Sequence, residues 1–162
     1  SRGLGDVYKR QAQRIEPLSL TAAGFAISRP IDPVHAPVLL RLDSPANIAA
    51  GPTVWGLGEH LRQQLDAALP GCTLLTVQTP GDLDAALAAA TGRPLVVQGR
   101  DLARVPFLVA AAQTVRSRRP DAVLVELGWP DPATATSPDL VTFGSGSGQM
   151  LCLIELLHRG TR

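Results

Sequence analysis

The sequence is poor in lysine, tyrosine and aromatic side chains, and it contains no long apolar run. Lysine and tyrosine occur once each among 162 residues, and aromatic residues make up 4%. A formal net charge of +1 provides no basic surface for nucleic acid or an anionic membrane. No apolar stretch approaches the roughly 18–20 residues of a membrane span. We therefore expect neither nucleic acid as a partner nor a membrane span.

The sequence also lacks the usual patterns of a metal or nucleophile site. Cys72 and Cys152 lie far apart without a CxxC motif, which favours two small apolar core residues and leaves a disulfide open. His35, His60 and His158 have no metal-ligand spacing. A GxSxG nucleophile elbow does not occur. We therefore predict no catalytic, cofactor-binding or metal-binding residue in this chain.

The single lysine and the single tyrosine both lie in the first eleven residues. Ser1 to Gln11 resembles the translation of a transposase adaptor used in short-read sequencing libraries. We expect residues 1–11 to be an artefact of that adaptor and the remainder to be a fragment of a longer protein. Without the segment's net charge of +2, the formal charge changes from +1 to −1. Abundant Ala, Gly, Pro and Arg indicate a GC-rich bacterial gene, and the compartment, cytoplasmic or exported, stays open.

Short apolar runs alternate with helical patterns along the rest of the chain. Five runs show no clean polar alternation and are typical of strands covered on both faces, as in a parallel sheet. They are Val38–Leu42, Thr73–Val77, Leu95–Val97, Ala122–Leu127 and Leu140–Phe143. This repeated β–α order predicts a three-layer α/β/α flavodoxin-like domain with a sheet of about five mostly parallel strands.

The segments between these runs have the period of amphipathic helices. In the first, leucines recur on one stripe at Leu57, Leu61, Leu65 and Leu69. Thr79 is predicted to cap the second helix ahead of Pro80, and Pro106 to open the third. The last helix is predicted from about Gly148 to His158, and Gly160 is predicted to end it.

Proline interrupts the stretch ahead of the first predicted strand. Pro17, Pro30 and Pro33 lie in residues 12–36, which have little helical or strand pattern. We predict a linker remnant over 12–36 and a single α/β domain over 37–162.

Polar residues after the predicted strands mark the edge where a ligand would bind. An open α/β sheet binds ligands at the carboxyl ends of its strands. Asp43, Asn47, Arg100 and Asp101 occupy that edge, and we take Asn47, Arg100 and Asp101 as candidate cleft-facing residues. In the alternative that we favour, Asp43 and Asp101 brace loops and Arg100 pairs with a neighbouring acid.

The segment Gly144–Gly148 (GSGSG) resembles a phosphate-binding turn between a strand and a helix. It lacks the Gly-Lys-Ser/Thr of a P-loop, and Gln149 and Leu151 stand where GxGxxG would require glycine. We favour a tight turn whose small residues let the helix approach the sheet. An anion site at the helix N-terminus is the alternative.

Four sequence blocks together resemble the C-terminal α/β domain of glycoside hydrolase family 3, in its actinobacterial β-N-acetylhexosaminidase branch. The blocks are Asn47–Pro52 (NIAAGP) with Trp55–Leu57 (WGL), Val96–Asp101 (VVQGRD), Arg119–Gly128 (RPDAVLVELG) and Leu140–Gly144 (LVTFG). Their order and spacing carry the resemblance, which extends over residues 37–158.

The resemblance implies that the catalytic residues of the parent protein lie mainly in another domain. In that family an N-terminal (β/α)₈ barrel supplies the aspartate nucleophile of a retaining mechanism. In some branches the C-terminal domain supplies the acid/base carboxylate. Proteins of the hexosaminidase branch instead have an Asp–His pair on a barrel loop. None of those barrel motifs occurs here, so no catalytic residue is transferred to this chain.

Two hypotheses follow. In the first, the chain is the C-terminal accessory domain of a truncated glycoside hydrolase. Its parent would hydrolyse terminal β-linked sugars, in particular β-N-acetylhexosaminides, and its partners would be the missing barrel and the carbohydrate substrate. In the second, the chain is a non-catalytic flavodoxin-like module that binds a nucleotide or small anion through Gly144–Gly148 and the Arg100 loop. Neither hypothesis requires a bound cofactor for catalysis by this chain.

Overall fold

The sheet contains one antiparallel edge strand and five parallel strands. The computed structural model describes residues 24–44, 54–133 and 136–161. Within these ranges the strands are β1 (Ala26–Ile27), β2 (Val38–Leu42), β3 (Thr73–Val77), β4 (Leu95–Gly99), β5 (Val123–Glu126) and β6 (Leu140–Val141). They form a six-stranded sheet in the order β1-β6-β5-β4-β2-β3, in which β1 alone pairs antiparallel.

The parallel strands have the flavodoxin-like order. Counted from β2 along the chain, they lie in the order 2-1-3-4-5 across the sheet. This confirms the predicted α/β class and the mostly parallel sheet. The chain reverses direction across the sheet between β2 and β4, and such a switch point is where open α/β sheets bind ligands.

In the described ranges the helices are α1 (Arg62–Ala68), which continues a 3₁₀ turn at Glu59–Leu61, α2 (Pro80–Ala89), α3 (Pro106–Arg118) and α4 (Ser147–Arg159). Sequence signals mark the start of α2, the start of α3 at Pro106 and the end of α4. Thr79 caps α2 through a capping box with Asp82, whose carboxylate accepts the Thr79 N–H at 2.9 Å. Gly160 ends α4 with a φ of 75°, a conformation that glycine adopts without strain.

Two apolar cores lie on opposite faces of the sheet. Leu65 of α1 and Leu153 of α4 belong to one core, and Leu83 of α2 and Leu108 of α3 belong to the other. Neighbouring residues of β2 alternate between the two cores, as the two-residue period of a strand requires. The expectation that every strand is covered on both faces fails at the edge strand β3, where Thr76 is exposed and the three residues before it are only partly buried.

Residues 24–36, the described part of the predicted linker, pack against the sheet. Ala26 and Ile27 pair with Val141 and Leu140 of β6. Next to this pairing, Arg29 forms an ion pair with the buried Asp139 at 2.6 Å. The segment therefore adds an edge strand that the proline-rich sequence did not predict.

Both cysteines are free thiols. Cys72 is buried in the core, and Cys152 on α4 is half-buried. Burial is the main cause that raises the pKa of each thiol, which makes both less reactive at neutral pH. In the described part of the chain, no helix is both long and apolar enough to cross a membrane.

Candidate functional site

The carboxyl ends of the parallel strands bring several polar and aromatic residues to one edge of the sheet. Asp43 follows β2, Asp101 follows β4, and Trp129 and Phe143 follow β5 and β6 closely. Because β4 lies beside both β2 and β5, the loop after β4 is central to this edge. We call these residues and the loops that carry them the carboxyl edge.

Arg100 and Asp101 lie on this edge, where the sequence places them. Arg100 is exposed, and Asp101 is half-buried with a φ of 59°. The Asp101 carboxylate lies 3.4 Å from the Arg104 guanidinium, both side chains being about half exposed. Asn47 lies outside the described residues. The role of all three in a cleft stays a prediction.

Glu126, at the end of β5, holds the loop that carries Asp101. Its Oε1 accepts the N–H groups of Gly128 at 2.7 Å and Asp101 at 3.1 Å, and its Oε2 accepts that of Leu102 at 2.9 Å. Glu126 is 1% exposed. Burial raises the pKa of its carboxyl group, although the three N–H bonds act to lower that pKa. Sequence reasoning identified Glu126 only as a strand residue.

The raised pKa of Glu126 predicts a pH dependence of its contribution to stability. Between pH 4.5, the ordinary value, and the higher folded-state pKa, the unfolded chain has lost this proton and the folded chain has kept it. Deprotonation therefore favours unfolding, and stability from this group falls as pH rises through that window. Urea unfolding of wild type and Glu126→Gln across this range should show the wild-type advantage shrinking with rising pH, then levelling.

Glu59 provides a matched control of opposite sign. Its exposed carboxylate bonds to Arg62, which lowers its pKa. The wild-type advantage over Glu59→Gln should therefore appear as pH rises through the acid range, and it should be small because the pair is solvated. A wild-type advantage over Glu126→Gln that grows with pH would contradict the account of Glu126.

Gln98 of β4 bonds to the segment around Leu57, which lies just ahead of the Glu59–Leu61 turn, and so joins that segment to the middle of the sheet. Its buried amide accepts the Leu57 N–H and donates to the Leu57 carbonyl, both at 2.7 Å. Gly56 makes this approach feasible, because its φ is 68° and a Cβ there would lie 2.6 Å from Gln98 Oε1. These two bonds, which we call the latch, hold the buried Leu57 in the core beside the switch point.

Arg41 and Asp43 place charge at the switch point. The Arg41 guanidinium lies 5.0 Å from the ring centre of Trp55, a cation–π distance. Within the described residues, Arg41 Nε and Asp43 Oδ1 are buried without a hydrogen-bond partner. Buried polar groups of this kind are nearly always bonded in folded proteins.

The Gln149 side chain braces the Gly144–Gly148 turn at the start of α4. The Gln149 side chain accepts the Gly146 N–H at 2.9 Å, and its amide nitrogen donates to the Thr142 carbonyl at 3.4 Å. A Cβ at Gly144 would lie 2.6 Å from that amide nitrogen, so a larger residue there would displace the Gln149 side chain. These contacts support the structural interpretation, in which the turn holds α4 against the sheet.

A surface pocket of about 460 Å³ lies at the opposite edge, near the amino ends of the strands. Arg93 and Arg119 line it, but Arg93 is bonded to the carbonyls of Ala36 and Gly71, and Arg119 to those of Ala90 and Arg93. Because these guanidinium groups already hold the backbone, we place the candidate site at the carboxyl edge. In the described residues no three His, Cys, Asp or Glu side chains cluster as metal ligands.

The strand order, the helices on both faces and the switch point define a doubly wound, flavodoxin-like α/β domain. No protein-family model and no curated protein sequence matches the chain. Its fold is similar to part of a glycoside hydrolase family 3 β-N-acetylglucosaminidase from Paenibacillus sp. str. FPU-7, with a TM-score of 0.55 at 15% sequence identity. The similarity covers 75% of this chain and 25% of that chain, so this chain spans about a quarter of the larger protein.

Proposed function

We propose that the chain is the C-terminal accessory domain of a family 3 glycoside hydrolase that acts on terminal β-linked sugars, in particular β-N-acetylhexosaminides. The observation that carries the proposal is the fold similarity, which extends over 75% of this chain and a quarter of a β-N-acetylglucosaminidase. The four sequence blocks, which resemble the same family, support it independently. The remaining three quarters of such a protein would provide the catalytic barrel.

The chemistry of the carboxyl edge supports an accessory role. Retaining glycosidases need two carboxyl groups about 5–5.5 Å apart, one as nucleophile and one as acid/base. Both oxygens of Glu126 are bonded to backbone N–H groups, and the Asp101 carboxylate faces Arg104. Neither group is therefore arranged to transfer a proton to a leaving group on its own.

We expect the 162-residue chain alone to release no nitrophenol from 4-nitrophenyl N-acetyl-β-glucosaminide. The natural full reading frame, expressed in parallel, should hydrolyse it. In the full protein, Asp101→Asn should change at most the binding of substrate. Asp84→Asn, which replaces an exposed acid on α2, is the matched control. Turnover by the chain alone that depends on Asp101 or Glu126 would overturn the proposal, as would an upstream reading frame without a barrel.

The second candidate, a module that binds a nucleotide or small anion, is favoured by one observation, the flavodoxin-like strand order. Calorimetric titration of the chain with flavin mononucleotide, adenosine nucleotides and sugar phosphates separates it from the first. Heat of binding from one of these ligands supports the module, and none across the series excludes it. We expect none, because the turn lacks the lysine of a P-loop.

A further inference from the structure

Trp129 is an exposed aromatic side chain at the carboxyl edge. It is 67% exposed, and with Val54 it is one of the two large apolar side chains that are exposed among the described residues. Its ring meets that of Phe143 edge to face, with ring centres 5.1 Å apart and planes at 60°. The contact orients the indole while leaving most of its surface open to solvent.

The backbone presents Phe143 in a conformation that an aromatic residue rarely adopts. Its φ is 56°, in the left-handed region that costs an L-residue about 1–2 kcal/mol. The Thr142 hydroxyl bonds to the Gly144 carbonyl at 2.6 Å, and the Thr142 N–H bonds to the Glu126 carbonyl at 3.0 Å. Residues in strained conformations of this kind concentrate at binding and active sites.

Charged groups lie on the loop next to the one that carries Trp129. Gly128, which directly precedes Trp129, and Asp101 donate to the same oxygen of Glu126, so their two loops are in contact. Asp101 is itself in the left-handed region, and its ion pair with Arg104 is about half exposed. The carboxyl edge thus combines an open apolar ring with one carboxylate acceptor and one guanidinium donor.

The geometry points to a binding site for a pyranose ring, with Trp129 as the stacking surface and Asp101 and Arg104 as partners for its hydroxyl groups. The C–H groups on one face of a pyranose carry partial positive charge, which complements the negative face of an indole. Each hydroxyl both donates and accepts, which suits a neighbouring carboxylate and guanidinium. The choice of a sugar over another flat ligand rests on the proposed function.

The two tryptophans make a direct test feasible. The chain contains two indole N–H groups, one on the exposed Trp129 and one on Trp55, which is 5% exposed. Titration of the ¹⁵N-labelled chain with methyl N-acetyl-β-glucosaminide should shift the Trp129 indole signal and leave that of Trp55 unchanged. We expect a dissociation constant on the order of 1 mM, and tenfold weaker binding or none in Trp129→Ala, followed at the Gly128 amide.

Two further variants separate binding from folding. Phe143→Gly removes the ring but suits the positive φ, so the folded state should persist while sugar binding weakens. Arg104→Ala should weaken binding, whereas Arg118→Ala, an exposed arginine paired with Asp84 on the other side of the domain, should not. Equal effects of Arg104→Ala and Arg118→Ala would argue against the site.

Different results would overturn the sugar-binding site and the proposed function. A Trp129 indole unmoved by methyl N-acetyl-β-glucosaminide, methyl β-glucoside and di-N-acetylchitobiose would overturn the site even if the full reading frame hydrolyses its substrate. A response to adenosine but to none of these sugars would also overturn it. Sugar binding at Trp129 without hydrolysis by the full reading frame would leave the site and overturn the proposed function.

Discussion

Asp139→Ala is expected to lower the free energy of unfolding by about 2–4 kcal/mol. The Asp139 carboxylate, 6% exposed, meets Arg29 at 2.6 Å and Arg116 at 2.7 Å, and it accepts the Leu124 N–H at 2.8 Å. Removing it leaves that N–H unbonded in the core and brings two cations together without their counter-charge. Because Arg29 and Arg116 are 40% and 24% exposed, water offsets part of the loss, and we place the effect below that of a fully buried pair.

The measurement is urea unfolding followed by circular dichroism, with Asp84→Ala as the control. Asp84 also pairs with an arginine, Arg118, but its side chain is 70% exposed. Its replacement should therefore cost no more than about 1 kcal/mol. Losses of equal size in the two variants would show that burial of Asp139 contributes nothing.

The same substitution should loosen the segment that enters the domain. Arg29 is held by Asp139 and by the Ala122 carbonyl, next to the short β1 pairing. With Asp139 gone, amide hydrogen exchange at Ile27 and Ser28 should speed up more than exchange elsewhere, which hydrogen-exchange mass spectrometry measures. Uniform acceleration would indicate global unfolding instead.

Local signals made most of the fold predictable. The β2 and β3 ranges agree with the predicted runs, and Thr79 with Pro80 begins α2 as predicted. These signals depend on neighbouring residues along the chain, so a single sequence contains them. The β1 strand gave no such signal, because two residues between prolines acquire strand structure only through pairing with β6.

The candidate site was predictable only in its location. Arg100 and Asp101 follow a strand, and the carboxyl ends of parallel strands share one edge, so their position follows from topology. The contacts of Glu126 with Asp101 and of Gln98 with Leu57 join residues 25 and 41 positions apart. No periodicity or spacing in the sequence records which buried polar side chain meets which backbone group, and the Trp129–Phe143 contact was missed for the same reason.

Gln98→Leu is expected to lower the free energy of unfolding by about 3–5 kcal/mol. The substitution is close to isosteric, so it opens no large cavity. It leaves both the N–H and the carbonyl of Leu57 buried without the two bonds of 2.7 Å that the amide provides. Each abandoned buried group costs about 1–3 kcal/mol, and both are lost together.

Gln113→Leu on the exposed face of α3 is the matched control, because it makes the same chemical change where water replaces any lost bond. Its effect should stay within about 0.5 kcal/mol. Gln98→Leu should also accelerate amide hydrogen exchange at Leu57 well beyond the change at β4, since the latch joins that segment to the sheet. A stable Gln98→Leu variant whose Leu57 amide is still protected from exchange would contradict this. The packing of Trp55 and Leu57 in the core would then hold the segment, and the Gln98 amide would not determine its position.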